Sequence, residues 1–324
     1  MDNKVNVKLL SMLGQGGSAF GISLMNIMNE RDDIMVLSAD MSAPAGLDKF
    51  KSAFPNHFLN VGIAEQNMIG VAAGLADEGF KVICVAQACF ITMRCYEQVR
   101  HFAGYMNLPI ILVGIGAGLS LQFMGNTHYA LEDVALMRTI PDMTVMAPCD
   151  SLEAMNALEY AVSSGGAAYI RLLGGTGITA VHQAEYDFGK GKPVVLSDGK
   201  DVTILATGAA TSRALAAAQA LDRDGIACTV VDVVTLKPFD RAVLDSCRQN
   251  ALVVTVEEHR LAGGLGTIVA ECFTEMNLDV PLLTLGVGND LYPNPGFYQY
   301  MVEQCGLDAE SVAIQIKKKL ITLK

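Results

Sequence analysis

Three side-chain settings in this sequence stand out as able to do chemistry. The first is Glu65, in the run NVGIAEQN at 60–67, where its neighbours are Val61, Ile63, Ala64, Met68 and Ile69. A carboxylate opening an apolar helix is costly unless it is paired or partly protonated. It could equally serve only as a complement to the positive end of the helix dipole. The second is Phe90, at the head of ACFITMRCYEQVR (88–100) and directly after a buried strand. Ligands of open α/β sheets lie at such carboxyl ends, although a lone aromatic there also suits a core. The third is His128, closing the glycine-rich run Gly125-Asn126-Thr127-His128. Loops at strand ends build sites, and loop histidines are also often merely solvated. A fourth segment, Glu257-Glu258-His259-Arg260, precedes Gly263-Gly264-Leu265-Gly266. Glycines ahead of a helix could cradle an anion, but the spacing is not the GxGxxG of dinucleotide folds. The role of these acids and of His259 stays open.

Short apolar runs alternating with amphipathic stretches must position these groups. Runs at 34–37, 82–85, 110–113 and 168–170 lack strict alternation, as strands buried on both faces of a parallel sheet do. Helical character falls at 18–31, 65–78, 92–106 and 151–163, the last capped by Asp150 or Ser151. Residues 176–200 are polar and glycine-containing and read as a connection. Alternation then resumes, with strands at 202–206, 227–231, 252–256 and 281–285 and helices at 210–222, 240–249 and 264–275. The expected class is α/β: two doubly wound domains at 1–180 and 201–324, joined by a linker at 181–200.

Composition narrows the partners. At 324 residues, with 51% hydrophobic and 18% charged, the chain can bury sizeable cores and is too apolar for disorder. A net charge of −11 excludes a nucleic-acid binder, which would show a basic face. Lys317-Lys318-Lys319 ends the last helix and reads as a complement to its dipole. The eight cysteines form no CxxC pair, so they read as thiols of a reducing cytoplasm. The start, MDNKVNVKLL, lacks the pattern of a signal peptide. The charge-free stretch 102–131 is broken by Pro109, Gly114, Gly116, Gly118 and Gly125, so it reads as a buried strand entering a loop rather than a membrane span. A cytoplasmic protein that binds neither nucleic acid nor membrane is expected.

Taken in order, VGIAEQN (61–67), ACFITMRCYEQVR (88–100), GNTHYALEDVALMRTIPDMTVMAPCD (125–150), VVTLKPFD (233–240) and EEHRLAGGLG (257–266) resemble the transketolase family of thiamine-diphosphate enzymes. The likeness spans nearly the whole chain and corresponds to the carboxyl-terminal half of a full-length member. It implies a pyrimidine-binding domain followed by a transketolase C-terminal domain. In such enzymes a glutamate bonded to N1′ of the aminopyrimidine favours the imino tautomer that takes the thiazolium C2 proton; Glu65 matches it, and apolar surroundings would raise its pKa. Phe90 matches the ring that stacks on the pyrimidine, with Ile63 and Tyr96 as further cofactor-binding residues. His128 matches the histidine that bonds the donor's hydroxyl and carbonyl end, and Met124, Gln122 and Arg171 fall at substrate-binding positions. The family holds Mg²⁺ and the diphosphate through GDG followed by a later Asn. This chain has no GDG, and Ser197-Asp198-Gly199 is its nearest approach. Mg²⁺ needs near-octahedral oxygen coordination. The resemblance therefore implies a split enzyme, with no metal ligands here and an N-terminal partner subunit carrying GDG…N, assembled as α2β2.

One departure bears on substrate. Where the family anchors sugar phosphates, this chain has Gly17, Pro44, Gly116 and Gly174, and Met124 replaces an acid that reads a sugar hydroxyl. Arginine–phosphate contacts are among the stronger polar interactions, so their loss implies an atypical sugar, with Arg94, Arg171 or partner residues as substitutes. Two rivals remain. One is a decarboxylating enzyme resembling deoxyxylulose-phosphate synthase or a 2-oxo-acid dehydrogenase E1 β subunit. The other is a non-catalytic regulatory subunit.

Overall fold

The computed structural model describes Leu10 and residues 12–175, 179–292 and 294–323. The expectations made for the first nine residues, and for the start of the connection at 176–178, lie outside the described residues. Two sheets organise the rest. The first contains β1 (Ile34–Ser38), β2 (Phe58–Asn60), β3 (Lys81–Gln87), β4 (Ile110–Ile115), β5 (Thr144–Met146) and β6 (Ala168–Leu172). The second contains β7 (Val194–Ser197), β8 (Val202–Ala206), β9 (Cys228–Asp232), β11 (Leu252–Arg260) and β12 (Leu282–Val287), while β10 (Thr235–Lys237) crosses back to the first. Their spatial orders are β10-β5-β6-β4-β3-β1-β2 and β12-β11-β8-β9-β7. Pairing is parallel throughout except at β10–β5 and β7–β9. This is the expected pair of α/β sheets, and the unbroken apolar runs are explained by burial: all six residues of β4 and all five of β6 and β8 are buried.

Sequence and structure part company in several elements. The helix expected over 92–106 is a bent one: wide π-turns at Phe90–Arg94 and Arg100–Tyr105 flank four α-helical residues, Tyr96–Val99. Thr92 Oγ1 donates to the Ala88 carbonyl (2.6 Å) and Cys95 Sγ to that of Ile91 (2.9 Å), back-bonds of the kind that bend helices. The helix expected at 18–31 begins as a π-turn at Gln15–Ala19, where Gly17 leaves helical geometry, and ends at Met28. Arg241–Gln249 is 3₁₀ rather than α; its two buried residues, Leu244 and Cys247, are three apart, matching three residues per turn. The strand expected to stop at Val256 runs on to Arg260, so Glu257, Glu258 and His259 are strand residues and all are buried. The charge-free stretch is β4 entering a loop, and no helix among the described residues is long and apolar enough to cross a membrane.

The segment after Thr179 is pinned rather than free. Asp150 caps the helix Ser151–Ser164 through Glu153 N (2.9 Å), and its other oxygen accepts Val181 N and His182 N at 2.9 Å each. His182 enters a buried cluster with Cys149, Glu153 and Asp232, whose ligand-type atoms lie within 4.8 Å of one another. Such a set could hold a metal, but its acceptors already have donors: His182 Nε2 sits 3.1 Å from Asp232 and 3.6 Å from Glu153, Tyr186 donates to Glu153 (2.8 Å), and Thr211 to Asp232 (3.1 Å). Burial opposes charge on the imidazole, but hydrogen bonds from it to Asp232 and Glu153, and their charges, outweigh this and hold its pKa up at about 10. That value lies above the ordinary 6.5, so the pairing contributes stability in full below pH 6.5 and loses it as pH climbs through about 10. Unfolding of His182→Gln followed from pH 6 to 10.5 should converge with wild type on the alkaline side. A stability gap that stays constant across that range would refute the assignment.

Candidate functional site

Glu65, Phe90 and His128 come from three different strand ends and meet. Glu65 follows β2 as the first residue of the helix Glu65–Asp77. The turn before it needs Gly62 at φ +75°, and Asn60 Oδ1 braces it by accepting Gly62 N and Asp40 N (3.0 Å each). Glu65 is only 3% exposed, and its Oε2 accepts Arg94 Nη1 at 2.7 Å. The guanidinium of Arg94 lies over the Phe90 ring, 3.9 Å from its centroid. Phe90, following β3, packs against His128, with centroids 5.3 Å apart and rings at 64°. His128 Nδ1 lies 2.9 Å from Thr127 Oγ1, in the loop after β4. The result is one continuous line, Glu65–Arg94–Phe90–His128, at the carboxyl ends of β2, β3 and β4 on one side of the first sheet's order, where α/β sheets place their sites.

The geometry corrects the sequence reading in several places. The surroundings of Glu65 are not simply apolar, because Arg94 pairs with it. Sequence inspection missed this pair; its one signal was a cation four residues past Phe90 on the same turn. Arg171, expected at the substrate, is buried and spent on the scaffold: it donates to Asp133 (2.8 Å) and to the Ala130 and Glu258 carbonyls (2.9 and 2.8 Å). Tyr96 turns its hydroxyl to Thr139 Oγ1 (2.6 Å) and packs its ring on the core rather than joining Glu65 or Phe90. The glycines at 263–266 do not await an anion, since Glu257 already fills the helix start, accepting Leu265 N and Gly266 N at 2.7 Å each. A Cβ on Gly264 would lie 1.9 Å from that carboxylate, which explains the glycine. Burial pushes Glu257 up to about 7 against these two hydrogen bonds. His259 is buried, with burial lowering its pKa; its Nδ1 meets the Arg260 carbonyl and its Nε2 accepts Ala135 N.

Other predicted residues lie open. Ile63 is 76% exposed, and Met124 and Phe123 are exposed beside the half-buried Gln122. Gln122 has a positive φ (50°) and Gly125 ends the turn at φ +72°. The positions lacking phosphate-binding side chains are neighbours: a Cβ on Gly174 would meet Gly116 Cα at 3.3 Å, and one on Gly17 would meet the Pro44 carbonyl at 3.8 Å. Beside Gly174 lies a cavity of about 420 Å³, lined also by Ser120, Gln122, Ser212, Arg213 and Gln299. The helix Glu65–Asp77 buries one face and leaves Gln66, Asn67, Gly70 and Gly74 exposed, with nothing within 4 Å of a Cβ built on either glycine.

Two mainly parallel sheets, the first with a buried acid, an aromatic face and a loop histidine aligned at its strand ends, define a two-domain α/β protein. Family comparison makes the assignment particular. Residues 16–173 match the transketolase pyrimidine binding domain and residues 191–312 the transketolase C-terminal domain, so the chain belongs to the transketolase family. It is 35% identical to a putative transketolase C-terminal section of Methanocaldococcus jannaschii, over 97% of this chain and 99% of that one. It is 39% identical to the 6-deoxy-6-sulfo-D-fructose transketolase subunit SqwH of a Clostridium species, over 89% of each. Among solved structures it resembles a split gene transketolase described as an inactive β4 tetramer: TM-score 0.85, 38% identity, covering 95% of this chain and 98% of that one.

Proposed function

We propose that this chain is the C-terminal subunit of a two-chain transketolase, moving a two-carbon ketol unit from a ketose to an aldose, with an atypical sugar as substrate. The observation that carries it is the alignment of Glu65, Phe90 and His128 beside an open helix face. These residues fit the pyrimidine half of thiamine diphosphate. Glu65 would hold ring N1′: Oε2 takes Arg94, while among the described residues Oε1 takes no hydrogen bond. Arg94 has a side chain 43% exposed on a flexible stem, so it can swing off Phe90 to let a ring stack there. Ile63, exposed in the turn before Glu65, would complete the apolar contact. Bound thiamine diphosphate supplies the carbon nucleophile and the electron sink for C–C cleavage. His128 would orient the donor's carbonyl end and exchange a proton with its hydroxyl.

Relatives matched over most of their own length are named as a transketolase C-terminal section and a transketolase subunit, which supports a partner that grips the diphosphate through Mg²⁺ by GDG…N and covers the face bearing Ile63, Gly70 and Gly74, giving α2β2. The chain alone should bind thiamine diphosphate weakly by calorimetry, and adding the partner should confer tight Mg²⁺-dependent binding and turnover. Tight binding by the isolated chain would contradict this.

The neighbouring Gly116 and Gly174, Gly17 by Pro44, and the cavity beside them support a donor or acceptor whose far end is not gripped as an ordinary sugar phosphate is. Xylulose 5-phosphate should therefore be a poor donor for the reconstituted complex, with kcat/KM down by about 100-fold or more relative to an ordinary transketolase. Equal efficiency would remove the idea. Release of CO₂ from pyruvate would instead favour the decarboxylating rival.

A further inference from the structure

The strand end Glu257–Arg260 has no part in the site as drawn so far, yet it holds the loop that carries His128. His128 rides on the loop between β4 and the helix Asp133–Arg138. That loop closes at its neck, where Gly118 and Ala130 pair through Gly118 N to Ala130 O (3.0 Å) and Ala130 N to Gly118 O (3.2 Å). Glu258, buried at the end of β11, accepts the adjacent Leu119 N through Oε1 at 2.9 Å. Its Oε2 is fixed from behind by Arg213 Nη2 (2.8 Å) and the Tyr298 hydroxyl (2.6 Å), both on helices of the second unit. The Glu258 carbonyl and the Ala130 carbonyl share Arg171 Nη2, and Arg260 N donates to the Leu131 carbonyl (2.8 Å). Both sides of the neck are therefore sewn to one strand of the other unit.

The contact is close enough to dictate sequence. Gly118 has φ +62°, and a Cβ there would lie 2.2 Å from Glu258 Oε1. Only glycine lets the loop come down onto the carboxylate. A buried carboxylate that also bears an ion pair with Arg213 is a costly way to hold a single backbone N–H. Such an arrangement makes sense where the exact height of the loop matters.

We infer that Glu258 is a positioning residue for the transfer reaction: by bonding Leu119 N it fixes the neck of the 118–130 loop and hence the place of His128 over Phe90. This rests on the proposed role of His128. It gives the second unit a function, that of the anvil against which the site loop is held. A misplacement of about 1 Å in a reacting group can cost on the order of 100-fold in rate.

The test uses the reconstituted two-subunit complex with Glu258→Ala, Glu258→Gln and Tyr298→Phe. In Glu258→Ala, hydrogen exchange at the Leu119 amide should speed up by about 100-fold or more, and kcat should fall by about 100-fold. Thiamine diphosphate affinity should stay within about threefold of wild type, since no cofactor contact changes. Glu258→Gln keeps an acceptor for Leu119 N and should recover kcat to within about tenfold of wild type. If Glu258→Ala does not assemble, Tyr298→Phe decides, with a smaller change of the same sign in both exchange and kcat. Unchanged Leu119 exchange, or a kcat loss matched by an equal loss of cofactor affinity, overturns the inference. Should the wild-type complex transfer no ketol group at all, the functional reading fails, while the exchange measurement still judges the clamp.

Discussion

Glu65→Gln should leave a folded, assembled subunit whose kcat is reduced by about 1,000-fold. Glutamine keeps the volume and one acceptor oxygen, so packing at this buried position is preserved. What it removes is the carboxylate's ability to share a proton with an incoming ring nitrogen, and proton transfer by a positioned group contributes roughly 10²–10⁴-fold. Arg94 loses its partner, but its side chain is 43% exposed, so the lost pair should barely move stability. The bland alternative makes a different forecast. If Glu65 only complements the helix dipole, the substitution costs about 0.3–1 kcal/mol of stability and turnover survives. Stopped-flow or steady-state kcat alongside thermal unfolding separates the two, and a kcat within about threefold of wild type would take Glu65 out of the mechanism.

Arg171→Met should destabilise the chain by about 3–5 kcal/mol, the usual cost of removing one partner of a buried ion pair. Its loss would strand the Asp133 carboxylate, which is fully buried and among the described residues keeps only the Tyr169 hydroxyl (2.7 Å), and would also strand the Ala130 and Glu258 carbonyls. Among the described residues Asp133 Oδ1 has no hydrogen-bond partner even in the intact protein, so none of them is a donor in reserve. Had Arg171 bound substrate, as its sequence position implied, the same change would raise KM and leave the unfolding midpoint in place. Urea unfolding of wild type and variant decides between these outcomes.

How much of this was legible beforehand differs by residue. Glu65, Phe90 and His128, on which the proposal rests, could be singled out because each carries a local anomaly: an acid in apolar company, an aromatic at a strand's end, a histidine among glycines. The Arg94 pairing could not, because it depends on two bent turns whose side-chain back-bonds leave no periodic trace. Arg171 was misjudged for a related reason. Its chemistry suits a phosphate, and only the approach of Asp133 from a separate helix shows that its charge is already used. Glu258 stands out in the sequence without a role, since its partners Arg213 and Tyr298 lie 45 and 40 residues away, and Glu257 does so because the turn that returns Leu265 N and Gly266 N to it leaves no pattern.

By itself the sequence determined the strands β1, β3, β4, β6, β8, β9, β11 and β12 (though not the short β2, β5, β7 and β10), the division into two α/β units, and the residue types on offer at the strand ends. Those are properties of apolar spacing and of side-chain chemistry, which are local. The tertiary structure alone decided which charges are available and which are spent, because burial and pairing depend on groups brought together from separate elements: Glu65 with Arg94 across 29 residues, Asp133 with Arg171 across 38. Leu119 and Glu258 are 139 apart in the chain and 2.9 Å apart in space, and no pattern along one dimension encodes that contact.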